Sequence, residues 1–106
     1  MKRFDVDVME ERTDRLVTIA GDLDLLSAPV LKHRLREIVD APGGRVVLDL
    51  SSVEFIDCCG LAVLLHVRRV ARARGRTLSL RAPAPPVRRL LRLTDTEELF
   101  APRPRR

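Results

Sequence analysis

Two cysteines, two histidines and fifteen acidic side chains supply whatever chemistry this 106-residue chain could perform. Their spacing narrows it quickly. Cys58 and Cys59 are adjacent, a poor geometry for two ligands of one tetrahedral ion, and no cysteine pair has C-x-x-C spacing. His33 lies among Lys32, Arg34 and Arg36, the setting of a solvated face. His66 falls about two helical turns beyond Cys58, too far for a Cys–His nucleophile pair. Glycines 21, 43, 44, 60 and 75 match neither the dinucleotide fingerprint nor the P-loop, and no G-x-S-x-G elbow exists. No catalytic residue, cofactor site or metal site emerges, so the chain reads as something other than an enzyme.

The informative stretch is Val46-Val47-Leu48-Asp49-Leu50-Ser51-Ser52-Val53-Glu54-Phe55-Ile56-Asp57-Cys58-Cys59-Gly60-Leu61. A buried strand ends, and two small polar-capable side chains follow at a helix N-terminus. The free N–H groups and the positive end of the helix dipole there suit an anion.

The elements that must position this stretch follow from periodicity. Phe4, Val6 and Val8 alternate with Asp5 and Asp7 as in a half-buried strand, and Leu16–Ala20 is its expected hairpin partner. Gly21-Asp22-Leu23-Asp24 ends that strand with turn formers. Ser27 is the expected N-cap and Pro29 fits the first turn of a helix bearing Leu31, Leu35, Ile38 and Val39 on one stripe. Pro42-Gly43-Gly44 stops it. Val46-Val47-Leu48 reads as a central strand covered on both faces, with a loop at Ser51-Ser52. A second helix is expected from about Cys58 to Arg74, then a strand at Thr77–Leu80 and a short helix at Val87–Leu93. In the second helix Val63, Leu64, Val67, Val70 and Ala71 share the core stripe. Leu61, Leu65, Arg68, Arg69 and Arg72 fall opposite: either Leu61 and Leu65 pack against the neighbouring helix, or they form an apolar pair ringed by arginines that centres an interface. The order β-β-α-β-α-β-α predicts a single α/β domain, one mixed sheet with helices packed on it. Residues 1–100 form the expected domain, and 101–106 a basic, disordered tail.

Composition sets outer limits. Hydrophobic residues make up 45% and charged residues 33%, an ordinary globular balance, so neither disulfides nor a metal is needed to hold the core. Only 3% are aromatic, which argues against single-stranded nucleic-acid binding through base stacking. The longest apolar run, 58–67, is too short to cross a bilayer, and the N-terminus has no apolar signal region; a cytoplasmic protein without membrane contact is expected. The net charge of +5 is uneven: residues 1–57 carry 8 basic and 12 acidic side chains, residues 58–106 carry 12 and 3. Arginine supplies 18 of the 20 cations, which fits either GC-rich codon usage or a basic face that meets an acidic partner. No helix-turn-helix or aromatic RNA motif accompanies these arginines, leaving at most non-specific nucleic-acid affinity.

The Cys58 stretch resembles the STAS domain of bacterial anti-sigma factor antagonists. In that family the loop reads Asp-Ser-Ser/Thr-Gly-Leu, and its first Ser is phosphorylated by an anti-sigma factor that is also a kinase. Gly21-Asp22-Leu23-Asp24 with Ser27-Ala28 is similar to the family's approach to its first helix. Leu48-Asp49-Leu50-Ser51 resembles its central strand, and Arg88-Arg89-Leu90-Leu91-Arg92-Leu93-Thr94 its last helix. The resemblance covers residues 4–100 and implies a binding module, a monomer or weak homodimer, that sequesters a serine-kinase anti-sigma factor. It places partner contact on Asp22, Asp24, Asp57, Cys58, Cys59, Gly60 and Leu61, with Leu65, Arg68, Arg69 and Arg72 added from helical phase. Two departures stand out. Cys58 occupies the phosphoacceptor position, and Thr94–Leu99 lacks the Gly-Leu that usually follows the last helix. Cys58 then reads as a missing off-switch, as a packed small side chain, or as a redox-responsive thiol in a STAS scaffold. For adjacent cysteines a sulfenic acid or mixed disulfide is expected over the strained ring.

Overall fold

The expected alternation at the N-terminus forms β1 (Asp5–Glu11), which pairs antiparallel with β2 (Asp14–Leu23) in the register Val6 to Ile19 and Val8 to Val17. The computed structural model describes residues 4–12 and 14–101; the expected basic tail lies outside them from residue 102 onward. Then come α1 (Ala28–Asp40), β3 (Val46–Ile56), α2 (Cys58–Ala73), β4 (Leu78–Arg81) and α3 (Pro85–Leu93). The sheet order is β1-β2-β3-β4, with β2 parallel to β3 and β3 parallel to β4. Parallel neighbours require crossovers, which α1 and α2 supply, and the two helices pack against each other. The fold class and element order are as the sequence predicts.

Alternate residues of β2, Val17, Ile19 and Leu23, are buried against Leu31, Leu35 and Val39 of α1 and Val63, Leu64, Val67 and Ala71 of α2 in one apolar core. Among the described residues no polar or charged residue is buried there. Arg76 satisfies the free carbonyls at the end of α1, which has no basic residue in its last turn. Its Nη1 donates to Ile38 O at 3.1 Å, Val39 O at 2.9 Å and Ala41 O at 2.7 Å.

Three local expectations are corrected. No loop interrupts β3 at Ser51-Ser52; the strand runs on to Ile56. Its pairing with β4 ends at Asp49–Arg81, so both serines are exposed. The β2–β3 register slips here, between the Thr18–Asp49 and Ala20–Ser52 pairs, so the serines mark a bulge rather than a loop. Ser27 stands at the N-cap of α1 but caps nothing with its side chain; its Oγ donates to Asp22 O at 2.8 Å instead. The segment after α3 is more than a loop. A 3-10 turn, Glu97–Phe100, seats Phe100 in the core.

Candidate partner-docking site

Asp57 begins the site. Its N–H donates to Leu23 O at 3.1 Å, tying the end of β3 to the end of β2. Its Oδ1 accepts from Cys59 N at 2.8 Å and Gly60 N at 3.1 Å, closing two of the free amides at the start of α2. Gly60 is buried where α2 crosses Leu23. A Cβ on Gly60 would stand 2.3 Å from Leu23 O and 2.8 Å from Leu23 Cβ, so only glycine lets the helix come this close. The result is a clamped helix start with Cys58 exposed and Cys59 half-buried, both as free thiols.

Asp22 and Asp24 lie on the adjoining segment. Asp22 pairs with Phe55 across the β2–β3 ladder. Asp24 Oδ1 accepts from Leu26 N at 3.1 Å and Ser27 N at 3.0 Å, so this carboxylate shapes the turn into α1. That turn leaves Leu25 and Leu26 at 68% and 87% exposure, with Val30 and Phe55 about half exposed nearby in the topology. Single exposed leucines need no explanation, but this group shares one end of the sheet with Cys58. Sequence periodicity missed it, because a turn has no apolar phase. The usable signal was two consecutive leucines inside a segment otherwise made of turn formers.

The structure corrects the apolar centre expected on α2. Leu61 is 4% exposed and belongs to the core, and Leu65 is half-buried against it. The 100° phase put them opposite the core stripe, yet both pack against the core, while α1 meets α2 on the His66 side, where Arg36 lies. Nor do the arginines ring Cys58. Arg68 donates from Nε to Leu99 O at 2.7 Å, Arg69 is exposed, and Arg72 is exposed near the far end of α2. Arg72 is 14 residues on from Cys58, about 21 Å along a helix rising 1.5 Å per residue. The site is therefore Asp57, Cys58, Cys59 and Gly60 with the leucine turn, and the arginines form another surface.

The two histidines take no part. His33 is exposed, 3.7 Å from Glu37. His66 Nε2 lies 3.3 Å from Arg36 Nη1; because a guanidinium can only donate, Nε2 accepts and the proton sits on Nδ1. Burial, followed by the charges of Lys32, Arg36 and Arg69, holds the His66 pKa below its ordinary value. Among the described residues no group of three His, Cys, Asp or Glu side chains could hold a metal ion, and no helix is long and apolar enough to cross a membrane.

A mixed four-stranded sheet, crossed by α1 and α2 and carrying an Asp-capped, glycine-clamped helix start, matches one protein family. The family model described as "Mlab, STAS domain" covers residues 6–101, and the chain belongs to the STAS-domain family. Among its relatives, the anti-sigma-B factor antagonist of Bacillus subtilis (strain 168) is 30% identical over 97 residues, covering 92% of this chain and 88% of its own. The crystal structure of an anti-sigma factor antagonist from Mycobacterium paratuberculosis superposes with a TM-score of 0.83 at 27% identity, over 97% of this chain and 87% of that one. The anti-sigma factor antagonist SpoIIAA in its unphosphorylated form shares the fold, with a TM-score of 0.75 at 18% identity over 91% of this chain and 84% of that one.

Proposed function

We propose that this chain is an anti-sigma factor antagonist that docks on an anti-sigma factor of the serine-kinase type through the Cys58 end of the sheet. The carrying observation is Cys58, exposed at the Asp57-capped start of α2, at the same end of the sheet as the turn after β2 that leaves Leu25 and Leu26 exposed. Apolar side chains supply the desolvated centre of such an interface, and Asp22 and Asp57 supply its polar edge. In the family a phosphoserine at this position adds roughly 1.5 to 2 negative charges and would disfavour docking. A thiol is close in shape to the serine but takes no phosphate from such a kinase. In this reading the chain stays in its binding form, and the switch that releases the partner is missing.

The experiment is calorimetric titration against the anti-sigma factors of its own genome, followed by intact-mass analysis after incubation with ATP. The wild type is expected to bind one of them whether or not ATP is present. Cys58→Ser is expected to gain one phosphate and release its partner, while Cys59→Ser stays unmodified and bound. No binding to any of them by a correctly folded chain would overturn the antagonist reading. A phosphate on wild-type Ser51, Ser52 or Ser79 would overturn the constitutive binder. Loss of binding after mild peroxide, restored by thiol, would instead make Cys58 a redox switch.

A further inference from the structure

At the opposite end of the sheet, where β3 and β4 begin and α2 ends, the surface dips into a groove of about 290 Å³. Its walls carry Arg45, Arg68, Arg72 and Arg76, the hydroxyl residues Thr77 and Ser79, and an apolar side at Leu78 and Leu99; among the described residues no carboxylate lines it. Three of these arginines are partly engaged. Arg45 holds Asp14 at 2.8 Å, Arg68 Nε holds Leu99 O, and Arg76 Nη1 holds the end of α1. Arg72 is exposed, and its side chain makes no hydrogen bond or ion pair among the described residues. Arg76 Nη2 is shut off from water and has no partner.

The helix end beside the groove is no obstacle to an anion. The carbonyls of Val70, Ala71 and Arg72 already accept from the N–H groups of Arg74, Gly75 and Arg76, so their negative ends are satisfied. Burial, and then the charge of Arg15, lowers the Arg76 pKa from its ordinary value, which reflects how poorly that cation is solvated. A lining with four guanidinium-bearing residues, of which Arg72 is unengaged among the described residues, beside two hydroxyl residues favours a planar or tetrahedral oxyanion. The volume sits at the small end of ligand sites and is too small for an extended peptide. Leu99, 43% exposed, offers a wall for a carbon body.

We propose that this groove binds a small phosphate monoester, its phosphate held by Arg72 and the Thr77 and Ser79 hydroxyls and its carbon body laid on Leu99. The site lies about 21 Å from Cys58 by the length of α2, and it stands or falls independently of the partner reading.

The test is an amide-detected NMR titration of the full chain with phenyl phosphate and with inorganic phosphate, at ionic strength held constant with chloride. The expected result is saturable shifts confined to residues 72–79 and 99–101, with phenyl phosphate binding tighter than inorganic phosphate. Arg72→Gln should weaken phenyl phosphate about tenfold, the loss of one charge-assisted contact. Arg89→Gln, on exposed α3 outside the groove, should leave affinity within about twofold, a change of less than about 0.5 kcal/mol. Shifts spread over all arginines, or equal losses in both variants, would reduce the effect to counterion attraction and overturn the site. Equal affinity for the two phosphates would remove the ester from the proposal.

Discussion

At the end of β2, Asp24 Oδ1 accepts from the N–H groups two and three residues ahead, Leu26 and Ser27. At the end of β3, Asp57 Oδ1 accepts from those of Cys59 and Gly60 at the same spacing. The bonds match, but the consequences differ. Asp57 caps a helix that starts at once, and Gly60 pins its first turn against Leu23. Asp24 shapes a turn that runs three more residues before α1 begins, and it holds two leucines out in solvent. One strand end presents a fixed chemical position, and the next presents a greasy surface. Recognition needs both: rigidity where a single atom matters, and apolar area where affinity is made.

The largest effect that would sharpen this contrast is Gly60→Ala. A backbone oxygen that close to the new Cβ forces α2 off Leu23, so a loss of about 3 kcal/mol is expected in urea unfolding. A loss below about 1 kcal/mol would show that the clamp is slack. Removing either carboxylate should cost less. Asp57→Ala, which loses a helix cap, and Asp24→Ala, which loses two turn hydrogen bonds, are each expected to lose about 1 kcal/mol. Amide exchange should separate them, rising at Cys59 and Gly60 in the first and at Leu26 and Ser27 in the second.

A weaker handle lies between the helices that follow the two aspartates. His66 on α2 accepts from Arg36 on α1, and its pKa is lowered in the folded state by burial and neighbouring cations. The unfolded chain therefore binds a proton more readily near its ordinary value of about 6.5. The corresponding stability is present above that value and is lost as pH falls below it. His66→Gln, which retains an acceptor for Arg36, should flatten that part of the pH dependence; an unchanged slope would assign it to other groups. The smallest effect is expected at the greasy surface itself. Leu26→Ser should change stability by no more than about 0.5 kcal/mol while weakening partner binding. A larger loss would mean that Leu26 packs rather than docks.

Periodicity served well wherever one face of an element meets the core. The stripes Leu31, Leu35, Ile38, Val39 and Val63, Leu64, Val67, Ala71 are buried as their spacing requires, with Val70 only half-buried at the edge of the second. It failed where burial came from a second direction. Leu61 belongs to the core although it stands opposite the α2 stripe, and Phe100 because the chain doubles back after α3. Both depend on tertiary packing that no local phase encodes. Within the candidate site, Cys58 at a helix start followed from the strand-to-helix order, while Asp57 and Gly60 entered through the family resemblance. The leucine turn and the arginine groove were not legible, since each is assembled from segments distant in sequence.

Arg76 carries a consequence for how the chain reaches this structure. The carbonyls it closes at the end of α1 lie 35 to 38 positions earlier; Arg15 reaches only Ile38 O among them, at 3.5 Å, so Val39 O and Ala41 O wait until α2 and the approach to β4 are in place. A fragment ending before Arg76 should fray there, however good its apolar stripe. Closing so long a loop through one guanidinium makes the α1 terminus a late-forming part of the fold, with the first half of the chain waiting on the second.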